Sequence, residues 1–165
     1  MEKDQNKNIN NKEKAKVNPI HIMLAHVYAV FFFSIALGVI FDLVFQIDLL
    51  ANFKYSYLGI VLICFGSLLI YLAQSASSRA SKIKLEESSV EGFAYGPYKY
   101  FRHPTYLGVF IMVLGFGIVV KSTFSVLFIL IAYLFVKLFF VRKEEKILEE
   151  KYGQIYLDYK KKVKM

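Results

Sequence analysis

Two polar clusters interrupt an otherwise apolar chain, and both carry side chains suited to binding a charged ligand. The first is Gly96-Pro97-Tyr98-Lys99-Tyr100-Phe101-Arg102-His103-Pro104-Thr105-Tyr106-Leu107-Gly108. Proline suits the first turn of a helix, where a missing N–H costs nothing, so Pro104 predicts a helix start with His103 at or near the N-cap. The unpaired N–H groups and positive end of that helix would face the loop beside Arg102, forming a seat for a carboxylate or phosphate. The plainer reading is that Arg102, Lys99 and the tyrosines anchor the helix at headgroup level. The second cluster begins Glu144-Glu145-Lys146-Ile147-Leu148 and continues through Tyr152-Gly153-Gln154-Ile155-Tyr156 to Tyr159. On a helix, Glu144, Leu148 and Tyr152 share a face, Gly153 ends or bends that helix, and Tyr156 and Tyr159 realign beyond it. Here the plainer reading is pairing of both glutamates with nearby lysines, which contributes little at a surface.

The elements that must position these clusters are membrane helices. Hydrophobic residues make up 56% of the 165 and the mean hydropathy is +0.44, above the balance of soluble domains. Apolar runs cover about residues 20–45, 55–73, 104–120 and 123–141, which predicts four spans in an all-α, multi-pass helical bundle. Residues 142–163 read as cytosolic helices that complete the membrane domain, 19–165. The polar, Lys/Asn-rich residues 1–18 read as a disordered cytoplasmic tail. Gln74 to His103 is the longest predicted loop. The break at Lys121-Ser122 is so short that the last two spans must form a tight hairpin.

The net charge of +8 does not point to nucleic acid, because the basic residues flank the apolar runs. Of the 21 Lys and Arg, the tail before Pro19, the loop before Pro104 and the segment after Val141 hold 5, 5 and 8. Lys54 and Lys121 alone serve the opposite connections, so both termini are expected in the cytoplasm. Lys137, near the end of the fourth run, either snorkels to the interface or is buried for function. The single cysteine, Cys64, excludes an intramolecular disulfide and a Cys-rich metal site; it is expected to pack as a small apolar residue. No metal ligand set is predicted. The sequence is silent on oligomeric state.

Folding back the last hairpin brings His103 toward Glu144. The pocket so formed offers a cationic helix start, two carboxylates and several tyrosines. A ligand with a carboxylate, a ribose diol, an aromatic base and a positive centre satisfies all of them, and S-adenosylmethionine is such a ligand.

GPYKYFRHPTYLG, followed after a hairpin by EEKILEEKYGQIYLDYKKKV, resembles the integral membrane methyltransferases that include isoprenylcysteine carboxyl methyltransferases and phospholipid methyltransferases. The resemblance covers roughly residues 90 to 163. It implies a helical-bundle enzyme that uses S-adenosylmethionine in a cytosolic pocket and takes a lipophilic or small acceptor from the bilayer. It also implies that Tyr98, His103, Pro104, Thr105, Tyr106 and Glu144 contact the cofactor, with Glu145 as second member of the acidic pair. Val90 to Phe93 correspond to a further cofactor-lining stretch, represented by Phe93. Arg102 is expected to orient a carboxylate of cofactor or acceptor, and Glu145 or His103 to serve as base for an amine acceptor.

The sequence departs from the family pattern in two places. Phe140 stands where the isoprenylcysteine enzymes have a substrate-binding arginine, with Arg142 the nearest replacement. The upstream glycine signature is not clear, with Gly59 and Gly66 scattered, while Gly115 and Gly117 read as helix-packing residues. Two rival readings are a sterol-type membrane reductase with a nicotinamide cofactor and a non-catalytic adaptor. In the latter, Lys160, Lys161, Lys162 and Lys164 would hold anionic lipid.

Overall fold

The computed structural model describes residues 19–46, 49–50, 54, 56–83 and 94–163. The N-terminal tail and Val90 to Phe93 lie outside the described residues. The elements are α1 (Pro19–Phe45), α2 (Tyr57–Ile83), a 3-10 turn (Gly96–Lys99), α3 (Pro104–Val119) and α4 (Thr123–Phe135). A π-helical turn (Val136–Val141) then leads into α5 (Arg142–Tyr152), and α6 (Gln154–Lys162) follows. Among the described residues there is no strand, and all regular structure is helical.

Three helical stretches are long and apolar enough to cross a bilayer: Ile22–Phe45, Tyr57–Arg79 and Thr123–Tyr152. α3 is apolar but has only 16 residues, a length of about 24 Å at 1.5 Å per residue, short of the roughly 30 Å hydrocarbon core. Large side chains such as Phe32, Leu43, Val61 and Leu134 are exposed on the helix surfaces, as expected where lipid is the solvent. Cys64 is also exposed. It sits on the outer surface of α2 and not in the protein core, because an apolar run in a membrane helix need not face protein.

Glycine decides the packing. Gly59 and Gly66 on α2 oppose Gly115 and Gly108 on α3: a Cβ at Gly66 would stand 2.6 Å from the Gly108 carbonyl oxygen, and one at Gly59 2.6 Å from that of Gly115. The two pairs share a spacing of seven residues, about two helical turns, so antiparallel helices meet twice on one seam. Gly59 and Gly66 are therefore not scattered; their partners lie more than forty residues downstream, where a local motif search does not look. On the other side, Gly38 of α1 abuts the Ser125 backbone of α4. The shared core is built from Val27, Phe31, Tyr106, Val109, Ile129 and Val136.

Two boundaries differ from expectation. α2 runs ten residues past the apolar stretch and takes up Gln74 to Ile83, because Ala73 and Ala76 are buried and Gly96 of the 3-10 turn packs against Ala76. The long loop is correspondingly shorter. The fourth apolar run ends at Val141 as expected, but its helix continues without a break through the charged residues 142–152, beyond the apolar span, to Tyr152. Gly153, at φ +57 and ψ −129, breaks the helix.

Lys121 takes a left-handed conformation, φ +59, at the α3–α4 turn. There Ser122 caps α4 by accepting the Ser125 N–H at 3.1 Å. Asp42, at the end of α1, accepts the Ser122 hydroxyl and the Phe124 N–H, the latter at 3.2 Å. α1 is thereby fastened to the start of α4.

Candidate active site

The hairpin of α3 and α4 returns the chain to the end of the bundle where α3 begins. His103 is the N-cap of α3, with Pro104 in the first turn and no side-chain cap. The first N–H groups of the helix are thus left for a ligand. Beyond the π-helical turn, the first turn of α5 carries Glu144 and Glu145. Arg102 Nη1 lies 2.7 Å from Glu145 Oε1. The His103 ring stands between the two carboxylates, Nδ1 3.5 Å from Glu144 Oε2 and Nε2 3.5 Å from Glu145 Oε1. The Tyr106 ring stacks on His103 with 5.6 Å between centroids and 7° between planes.

The break at Gly153 folds α6 back against α5. Lys160 Nζ then reaches Glu145 Oε2 at 2.8 Å and Glu149 Oε1 at 2.7 Å. Tyr156 and Tyr159 are buried beneath the cluster with Val163, packed on Leu148 and Tyr152. This is the tyrosine face anticipated from the spacing. Tyr159 donates its hydroxyl hydrogen to the Tyr98 carbonyl at 2.8 Å, tying α6 to the 3-10 turn.

Electrostatics follow from this packing. Burial alone would raise the Glu145 carboxyl, but contacts from His103 and Lys160 and the charge of Arg102 outweigh it and hold the group at about 2. Burial opposes protonation of His103, yet the two glutamates prevail and raise it above its ordinary value. Lys160 is raised by Glu145 and Glu149. Burial raises the phenols of Tyr156 and Tyr159, which therefore remain hydrogen-bond donors.

Of the residues singled out from sequence, the structure brings Arg102, His103, Tyr106, Glu144 and Glu145 into one cluster. Pro104 and Thr105 sit in the first turn of α3, and Tyr98 contributes its carbonyl to Tyr159. Phe93 lies outside the described residues. Phe140 lines an apolar groove between α1 and α4, and Arg142 is exposed, so neither joins the cluster. Lys160 was not singled out for this site. Its place in a basic run at the chain's end suggests a solvated lysine, and only the reversal at Gly153 reveals its target.

The cluster has donors and acceptors to spare. Arg102 Nε is buried without a hydrogen-bond partner, and His103 Nε2 and Glu144 Oε2 are held only by the long ion pairs of 3.5 Å. Buried polar groups are rarely left so. A cavity of about 220 Å³ opens beside Arg102, His103 and Tyr106 and is walled on the α4 side by Tyr133, Val136 and Lys137.

A family model described as phospholipid methyltransferase matches residues 54–155, well over half of the chain. The chain belongs to the phospholipid methyltransferase family. It is an integral membrane protein of a methyltransferase family, and this membership argues against the reductase and adaptor readings. No curated protein and no solved structure matches the chain. The family match runs from α2 through α5 and ends two residues into α6, so it contains Arg102-His103, Glu144-Glu145 and the glycine seam but not Lys160.

Proposed function

We propose that the chain transfers the methyl group of S-adenosylmethionine to a lipophilic or small acceptor at the cytoplasmic membrane face. The acceptor classes are a phospholipid amine, an isoprenylcysteine-like carboxylate or a thiol. The observation that carries this reading is the meeting of Arg102-His103 with Glu144-Glu145, charges of both signs buried together in one cluster. Charge distribution supports the orientation: with four crossings, the short α3 included, every Lys/Arg-rich segment falls on the side of this cluster, which on this reading puts both termini in the cytoplasm.

The donor set matches the cofactor group by group. Arg102 Nε and the open N–H groups of α3 suit its carboxylate. Glu144 Oε2 suits a ribose hydroxyl, and the stacked His103 and Tyr106 rings offer aromatic faces. When bound, S-adenosylmethionine supplies an electrophilic methyl group on a sulfonium. The chain's task is to align the acceptor opposite the leaving sulfur and to exclude water, which the buried cluster and its apolar walls do. Where the acceptor is an amine, His103 is the better proton acceptor of the two candidates. Glu145, held at about 2, has little proton affinity near neutrality.

The test supplies methyl-labelled S-adenosylmethionine to membranes containing the protein and separates the products. Label in lipid, in a base-labile ester or in a small thioether supports the reading and names the acceptor atom. No label in any fraction, together with no cofactor binding by the purified protein, refutes it.

A further inference from the structure

We infer that Lys160 is a positioning residue for the cofactor site: from α6 it holds one oxygen of Glu145, which keeps the remaining donors of Arg102 free for the cofactor. This inference rests on the methyltransferase reading and adds to it a residue beyond the family match, which ends at residue 155. Glu145 is 8% exposed, and a carboxylate so buried needs partners for both of its oxygens. Arg102 Nη1 serves Oε1 at 2.7 Å, and Lys160 Nζ serves Oε2 at 2.8 Å. Arg102 Nε remains a buried donor without a partner, on a residue that walls the cavity beside His103 and Tyr106. Without a cation on Oε2, that oxygen turns to the guanidinium, whose fork takes a carboxylate through two parallel hydrogen bonds. Arg102 is then spent on Glu145, and the seat for a ligand carboxylate is lost.

The backbone is arranged to make this contact. Lys160 follows Glu145 by fifteen residues, which on one straight helix would separate them by about 22 Å. They meet because Gly153 takes φ +57 and ψ −129, a conformation that favours glycine over residues with a Cβ. A Cβ there would meet nothing within 4 Å, so the glycine is present for its dihedral angles and not for space. The neighbouring Tyr159 donates to the Tyr98 carbonyl at 2.8 Å. Consecutive residues of α6 therefore grip both halves of the site: α5 with its glutamates, and the turn that leads to Arg102. The plainer alternative is a solvated ion pair, and the Lys160 contact with Glu149, whose side chain is 33% exposed, is of that kind. The contact with Glu145 differs, because that carboxylate is buried with Arg102 and His103.

The test compares wild type with Lys160→Met, Lys160→Arg and Lys161→Met in the full-length protein. It reads equilibrium binding of S-adenosylmethionine and the NMR titration of His103, one of three histidines, assigned with His103→Gln. His103 faces Glu144 and Glu145 on α5, Tyr106 on α3 and its neighbour Arg102, while Lys160 and Tyr156 of α6 act on Glu145. Losing the Lys160 cation leaves Glu145 less neutralised, so His103 should hold its proton to higher pH in Lys160→Met. Affinity for S-adenosylmethionine should fall about tenfold, the scale of one hydrogen bond to a charged group. Lys160→Arg should restore both. Lys161 is exposed and paired with Asp158, so Lys161→Met removes the same charge away from Glu145 and should match wild type in both. Should Lys160→Met not fold, Lys160→Gln is read in the same way. Unchanged affinity or an unchanged titration in Lys160→Met, or equal effects in Lys161→Met, would overturn the inference. So would a fall of the His103 titration toward its ordinary value, which marks a general loosening of α6 and not a charge lost at Glu145. If the wild type binds S-adenosylmethionine and Lys160→Met binds it equally well, the inference alone falls; if the wild type binds none, the underlying reading falls with it.

Discussion

The α3–α4 hairpin carries a polar cluster at each end, and the two clusters are satisfied to different degrees. At the turn end, Asp42 takes hydrogen bonds from Ser122 and from the Phe124 N–H, Ser122 takes the Ser125 N–H, and Ser125 donates to the Ile35 carbonyl at 3.2 Å. Among the described residues, the Thr123 hydroxyl is the one side-chain atom there left buried and unbonded. At the open end, Arg102 Nε is buried and unbonded and His103 is held to Glu144 and Glu145 only at 3.5 Å, though charges of both signs crowd around them. A completed network rigidifies, whereas an incomplete one costs free energy that a ligand can recover. The comparison separates a structural fastening from a binding site within one hairpin, using the same kinds of side chain.

The comparison can be broken by exchanging the consequences of mutation at the two ends. Glu145→Gln removes the charge that engages Arg102 and Lys160. Unfolding stability should fall by about 3 kcal/mol, the scale for leaving a buried ion without its partner, and affinity for S-adenosylmethionine should fall by about 100-fold or more. Thermal unfolding and equilibrium binding measure the two effects. Asp42→Ala should cost about 1–2 kcal/mol of stability, the upper range for losing a helix cap, and leave cofactor affinity within twofold of wild type. A large loss of affinity in Asp42→Ala would erase the distinction.

Titration sharpens it further. Glu145 is lowered, so its contribution is complete above the ordinary carboxylate range and is lost as pH falls toward about 2. His103 is raised, so its contribution is complete below about 6.5 and is lost as pH rises through its elevated value. Wild-type melting temperature should therefore decline at both limits. His103→Gln should lack the part of the alkaline decline that begins near 6.5 and keep the part above about 10.5 that belongs to Lys160, and Asp42→Ala should keep the full profile. Smallest of all, Lys146→Ala, at an exposed position on α5, should change stability by less than about 0.5 kcal/mol.

Much of the open end was legible in the sequence because its signals are local. Pro104 marks a helix start wherever it occurs, and the spacing of Glu144, Leu148 and Tyr152 marks a helix face. The two-residue break at Lys121-Ser122 allows only a tight return, which is why His103 and Glu144 meet. What escaped was set by distant contacts. Lys160 reads as solvent-facing until α6 is reversed at Gly153, and Gly59 and Gly66 have no visible partners until α2 lies against α3. The polar stretch after Ala73 resembles a loop because its helical state depends on Ala76 packing against Gly96. Asp42 offers no cue that its acceptor capacity is spent on the start of α4.

Photo-crosslinking of labelled S-adenosylmethionine to the purified protein, followed by peptide mapping, tests the central claim most directly. Label should fall on segments 98–107 and 141–160 and should be competed away by unlabelled cofactor. Competable label confined to the Asp42–Ser122 end, or to α1, would contradict it.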